Sequence, residues 1–386
     1  WRDGTLASKP PLFHWIAAGV GALAGVSDAV VRLPSAVGTL VVAGVTLWLG
    51  TAVGGRATGW LAVGALAGTA SFWRSATEAR VDMVFAAAIT VALGGFFVWW
   101  RDGRRAGRAL FWMGLAAAVL TKGPAGGVLG ALVVTAFLAV ERDLRRLFAL
   151  ASTPWLAVAL AVTAGWYVAA WRAAGAQFLA VQVLHENVNR LVGGGAFHHS
   201  LRHATKLPAG FVVHLLPWNL VLVSAARRWW RGEREDAAGH FLHAWWMGIT
   251  GVFVFAARTR TVYLLPAYPA IALLAARALA PRVSRRLAAA MVALALGLLA
   301  AVEADRVYDA RREPLVALAA RIAPLVPSDA TLAAAPALAE NDALVLRWLL
   351  HRAIPRRTQL ACEPGTYVIA TGNAGARAAT TGLQVV

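Results

Sequence analysis

Arg80 and Asp82 stand two residues apart between two long apolar runs, residues 57–73 and 83–100. A carboxylate at the edge of hydrocarbon is costly unless it is solvated or paired, so its presence there raises a functional hypothesis. The chemistry open to it is general-base catalysis or stabilisation of a developing positive charge. Glu78 and Arg74 lie close by in the chain. On position alone two interpretations stand: Arg80 and Asp82 cap the ends of two spans, or they belong to a reaction site.

The remaining polar residues gather on the same side of the expected membrane. That edge collects Lys9, Arg74, Glu78, Arg80, Asp82, Lys122, His185, Glu186, Asn187, Arg190, His198, His199, His203, Lys206, Arg258, Arg260 and Tyr263. Cations at a lipid surface suit a phosphate head group, Lys as a point charge and Arg as a two-pronged fork. The chain has 3 lysines against 34 arginines, and Lys9, Lys122 and Lys206 all fall on this edge. Arginine is then the default cation, and lysine marks places that need a compact ammonium; chance placement is the competing explanation. His185-Glu186 is followed by Asn-Val-Asn, so the zinc-protease pattern H-E-x-x-H is absent. His199 and His203 have a helical spacing that can bind metal, yet such a pair is more commonly a solvated loop feature. No cofactor is expected, and nothing indicates a divalent metal. His214 and His243 are the main ionisable residues inside apolar runs, where packing explains them.

These residues need elements to hold them. Of 386 residues 59% are hydrophobic and 15% charged, against about 25% charged in a soluble domain. Many runs exceed the roughly 18 apolar residues that mark a membrane span. The expected fold class is an all-α polytopic membrane protein. It has ten candidate spans: 34–54, 57–73, 83–100, 109–121, 124–140, 154–171, 207–226, 240–257, 262–279 and 285–302. The short pair flanking Lys122-Gly123-Pro124 reads as a tight membrane hairpin or as one broken pair. Residues 12–26 form an interfacial helix, and Val31-Arg32-Leu33-Pro34 acts as a breaker.

Arginines recur in every second loop, around 56, 101–108, 142–146, 227–234 and 282–286, so those loops are expected in the cytoplasm. The formal charge of +18 then reflects orientation bias, with no nucleic-acid partner. The division expected is 1–33 as an extracytoplasmic or interfacial segment, 34–303 as the membrane domain and 304–386 as a small periplasmic α/β domain. In that last part helices are expected at 313–323 and 339–351 and strands at 330–335 and 366–370. A single cysteine, Cys362, leaves no internal disulfide. The chain opens at Trp1 in polar sequence without an initiator Met, which suggests a fragment.

Several short motifs occur in a fixed order. They are Lys9-Pro10-Pro11-Leu12 with Trp15, Val31-Arg32-Leu33-Pro34-Ser35-Ala36, Ala79-Arg80-Val81-Asp82-Met83 and Thr121-Lys122-Gly123-Pro124. His185-Glu186-Asn187 with Arg190, Leu216-Pro217-Trp218, and Tyr263-Leu264-Leu265-Pro266 with Tyr268-Pro269-Ala270 follow. The set resembles the GT-C membrane glycosyltransferases of the aminoarabinose-transferase and protein O-mannosyltransferase group, over roughly residues 5–280.

The resemblance implies a GT-C fold and transfer of a sugar from a polyprenyl-phosphate donor, on the periplasmic side of a bacterial inner membrane. It implies a lipid phosphate bound by Lys9 and an active-site place for Asp82, the catalytic candidate. Arg80, Lys122, Arg190, Arg258, Arg260 and Tyr263 become donor-binding candidates, with His185, Glu186 and Asn187 in a loop that covers the donor. The implied partners are membrane lipid, the lipid-linked sugar, and a glycan, lipid A or protein acceptor. The family also carries an acidic pair in its first outer loop. The chain starts downstream of that place, so its principal catalytic acid is expected outside these residues. Leu6 and Ser8 stand where the family often has an aromatic and an acid, a departure from the aminoarabinose pattern. The competing function classes are a transporter or flippase, which needs midplane charges, and a non-catalytic scaffold, which leaves the clustered outer charges unexplained.

Overall fold

The computed structural model describes residues 9–180, 235–255, 260–281, 314–327, 331–334 and 366–369, with isolated positions between 182 and 354. The chain forms two compact units, Trp1–Leu299 and Ala300–Val386.

In the first unit the helices run α1 Leu12–Ala24, α2 Asp28–Gly54, α3 Arg56–Ala67, α4 Ala70–Thr77, α5 Val81–Asp102, α6 Arg105–Lys122, α7 Ala125–Val140, α8 Arg146–Ala151 and α9 Pro154–Leu179. After the undescribed stretch come α10 Ala237–Phe255, a 3-10 turn Thr261–Ala267 and α11 Tyr268–Leu279. Among the described residues, four helical segments are long and apolar enough to cross a membrane: Asp28–Gly54, Val81–Asp102, Pro154–Phe178 and Thr261–Leu279. Most of the expected span 207–226 and much of 285–302 lie outside the described residues.

The centre of this unit is α5. Its sequence between Met83 and Trp100 is apolar on every face, and a helix hydrophobic all round is a buried one. Met83, Ile89, Leu93 and Phe96 are fully enclosed. Antiparallel α6 lies against it at backbone distance: a Cβ on Gly95 would meet the Gly107 carbonyl oxygen at 2.8 Å. Small residues permit such approach where lipid supplies no hydrophobic drive between helices. Toward the far end Phe97 stacks on Phe241 of α10 at 4.6 Å, and Trp100 meets Phe137 of α7 edge-on at 4.8 Å.

Three expectations change. Pro34 does not break the chain: α2 runs through it from Asp28. Ser27 caps the helix, its hydroxyl accepting from the Val30 amide at 3.3 Å, and Asp28 sits favourably in the first turn. The run 57–73 is two helices, because Gly68 ends α3 and Thr69 turns extended before α4 starts. The span begun at Pro154 continues to Leu179 with a kink at Gly175, whose φ is +64°.

The second unit contains α12 Pro314–Ile322 and two parallel strands, β1 Thr331–Ala334 and β2 Thr366–Ile369, with Leu332 opposite Tyr367. Ala319, Val326, Leu332, Leu346, Ile354 and Ile369 form its core.

Candidate functional site

The start of α5 and the end of α6 meet because the two helices are antiparallel neighbours. Asp82 lies in the first turn of α5, and Lys122 is the last residue of α6. Each charge therefore sits at the helix end that favours it, the carboxylate at an N-terminus and the ammonium at a C-terminus. Gly123 ends α6 there: its φ of +93° is open to glycine, and its amide donates to the Val119 carbonyl at 2.8 Å.

Asp82 is buried and both its oxygens are engaged. Lys122 Nζ reaches Oδ1 at 2.6 Å, and Arg80 Nε lies 3.2 Å from Oδ2. Arg80 also touches Glu78 at 3.4 Å, and Glu78 accepts from Arg74 at 2.8 Å. Asp82 and Lys122 are 5% and 11% exposed, while Arg80, Glu78 and Arg74 beyond them are 39%, 22% and 68% exposed. The ion-pair chain thus leads from a sealed interior to an open rim.

Two rings hold the Lys122 ammonium from other sides. Its Nζ lies 4.1 Å from the centre of Tyr263 and 5.0 Å from that of Phe85, distances at which a cation is attracted to a ring face. Tyr263 is placed by the 3-10 turn. Pro266 cannot donate an amide, and its carbonyl accepts from the buried Trp245 indole at 2.8 Å. Just beyond, the buried Tyr268 hydroxyl donates to Ser71 of α4 at 3.2 Å. Ser35 of α2 donates to the Arg80 carbonyl at 3.2 Å. Lys9 is within electrostatic reach of Lys122. Arg260 precedes the turn and is exposed, with its carbonyl accepting from the Tyr263 amide at 2.9 Å.

Lys9, Arg80, Asp82, Lys122, Arg260 and Tyr263 thus share one end of the helix assembly. Arg190, Arg258, His185, Glu186 and Asn187 lie outside the described residues. Phe85 and Ser35 were not among the candidate site residues. Phe85 sits three residues after Asp82, a helical spacing that puts both on one face and is the signal that could have found it. Among the described residues no three His, Cys, Asp or Glu side chains converge as a metal site would need. Between their first and last turns α5, α6 and α7 carry no Asp, Glu, Lys or Arg. Chemically, the cluster offers fixed positive charge around one carboxylate that has no free oxygen.

Residues 8–171 match the family model described as dolichyl-phosphate-mannose-protein mannosyltransferase. A protein of Aquifex aeolicus (strain VF5), described only as uncharacterized, is 28% identical over 275 residues, 70% of this chain and 52% of its own length. The undecaprenyl phosphate-alpha-4-amino-4-deoxy-L-arabinose arabinosyl transferase of Pseudomonas aeruginosa (strain UCBPP-PA14) is 31% identical over 208 residues, 53% of this chain and 37% of that protein. The chain therefore spans about half or less of these curated relatives. The crystal structure of ArnT from Cupriavidus metallidurans bound to undecaprenyl phosphate superposes with a TM-score of 0.74 at 17% identity, covering 92% of this chain and 76% of that one. Its apo form gives 0.71 at 19% identity with the same coverage. The chain has the polytopic GT-C fold of these structures, the fold expected from the ordered motifs.

Proposed function

We propose that the chain belongs to a glycosyltransferase of an inner membrane, moving a sugar from a polyprenyl-phosphate donor to an acceptor on the periplasmic side. The observation that carries this is the buried Asp82 carboxylate with a cation on each oxygen. A stability role alone explains it poorly, since desolvating Asp82 and Lys122 costs several kcal/mol per ion. Preorganised cations beside a lipid surface are what a phosphorylated lipid requires.

The donor phosphate docks against Lys9, Lys122 and Arg80, with Arg260 and Tyr263 at its side. In the reaction the bond between the anomeric carbon and the phosphate oxygen breaks, and its electrons stay on the polyprenyl phosphate. The acceptor hydroxyl forms the new bond to carbon and gives up its proton to a base. The leaving group is already an anion, so fixed cations serve it better than a proton donor. Asp82 keeps those cations in place before the donor arrives and opposes positive charge developing on the sugar. With both oxygens engaged it is assigned no base role.

The acceptor is lipid A, another glycan or a protein hydroxyl. The likeness to the arabinosyl transferase supports the polyprenyl-phosphate-linked sugar as donor, and the mannosyltransferase family model supports a protein acceptor. Sugar transfer from a labelled polyprenyl-phosphate donor, measured with the protein in membranes, tests the proposal. Lys9→Ala and Asp82→Asn are expected to lower transfer by about 100-fold or more, compared per amount of folded protein in the membrane. Normal transfer by both variants would overturn it.

A further inference from the structure

We propose that a crevice between α6, α7, α8 and α9 holds part of one acyl chain of an anionic phospholipid, from the leaflet at the arginine-rich end. This crevice is distinct from the Asp82 site, since its lining, which on α6 runs from Phe111 to Val119, includes none of Arg80, Asp82, Phe85, Lys122 and Tyr263. Its volume is about 230 Å³, and its walls include Trp112, Leu115, Val134, Leu150 and Leu160. The polar side chains in the lining beyond the Trp112 indole are Thr135 and Thr163, and Thr163 returns its hydroxyl to the Ala159 carbonyl at 2.8 Å. Water needs two to four polar partners to occupy such a space, and hydrocarbon needs none. The volume is below that of a pocket for a drug-sized molecule, so it suits part of one chain and excludes a whole lipid.

The mouth is fixed and positively charged. Arg108 donates to the carbonyls of Ala149 and Ser152 at 3.2 and 3.1 Å, and the Trp112 indole donates to Leu150 at 2.8 Å. These bonds pin the corner between α8 and α9 onto α6. Arg105 lies one turn before Arg108, and Arg142 and Arg145 lead into α8; all three are exposed, and none has an acid partner among the described residues. Between and after them Leu144 and Phe148 are 47% and 79% exposed. Exposed apolar residues alternating with arginines suit a segment lying in the head-group layer. Charge complementarity then selects an anionic over a zwitterionic head group.

Native mass spectrometry of the protein released from nanodiscs holding equal phosphatidylglycerol and phosphatidylcholine tests this without measuring sugar transfer. The wild-type protein is expected to retain phosphatidylglycerol at least about fivefold over phosphatidylcholine. Exchanging Arg105, Arg142 and Arg145 together for Gln should bring that ratio to about one. Ala131→Phe, which fills the crevice, should lose both lipids. A preference that survives the triple exchange, full retention by Ala131→Phe, or a polyprenyl chain retained in place of phospholipid would each overturn the proposal. Should Ala131→Phe fail to fold, the triple exchange, confined to the exposed rim, decides alone.

Discussion

The two ends of the helix assembly use charge in opposite ways. At the arginine-rich end the pairs are wet, whether their partners are neighbours in sequence or not. Arg101 meets its neighbour Asp102 at 2.7 Å, Arg146 meets Asp143 at 2.7 Å, and the Arg277–Asp236 pair leaves Asp236 58% exposed. Such pairs are worth about 0–1 kcal/mol and serve orientation and interfacial binding. At the motif end Asp82 and Lys122 are 40 residues apart in sequence, sealed, and wrapped by Tyr263 and Phe85. An ion pair that costs desolvation and still persists points to a use beyond stability. The contrast teaches that the count of charges, which is higher at the arginine-rich end, is a poorer guide to chemistry than their burial.

The strongest test of that contrast removes the buried anion. Asp82→Asn leaves Arg80 and Lys122 without their counter-charge and is expected to destabilise the protein by about 3–5 kcal/mol, read by thermal unfolding in detergent. A next, smaller step strips the ring from the ammonium. Tyr263→Leu should cost about 1–2 kcal/mol, while Tyr263→Phe, which keeps the ring face, should cost well under half of that in the same melts. Lys122→Arg sharpens the role of shape: a planar guanidinium does not fit between two rings as a compact ammonium does, so donor binding should fall by about 10-fold or more. Unchanged binding would remove the idea that lysine is placed here for its compactness. The smallest effect belongs to the other end, where Asp143→Asn should shift stability by no more than about 0.5 kcal/mol.

Much of this was legible in the sequence, and the limits have physical causes. Apolar runs gave the helices because hydropathy and length decide whether a segment can span. They did not give the break at Gly68-Thr69, since both halves are apolar and the interruption is one of backbone conformation. Pro34 looked like a stop, yet α2 starts at the Ser27 cap and runs through the proline in its second turn, where the ring forgoes one helical hydrogen bond. Asp82, Lys122 and Tyr263 stood out individually as polar residues at span ends. Their mutual pairing did not, because it follows from how antiparallel helices line up, and no local pattern encodes that. Phe85 was hidden for a simpler reason: an aromatic in an apolar run looks like core until a cation is found over its face.

The central claim is that the sealed Lys122 binds the donor phosphate and the exposed arginines of the far end do not. The direct measurement is polyprenyl-phosphate affinity in nanodiscs for Lys122→Met and for Arg101→Gln. The account predicts that Lys122→Met loses affinity by about 10-fold to 100-fold, and that Arg101→Gln binds as the wild type does. Equal affinity of Lys122→Met and the wild type would contradict it.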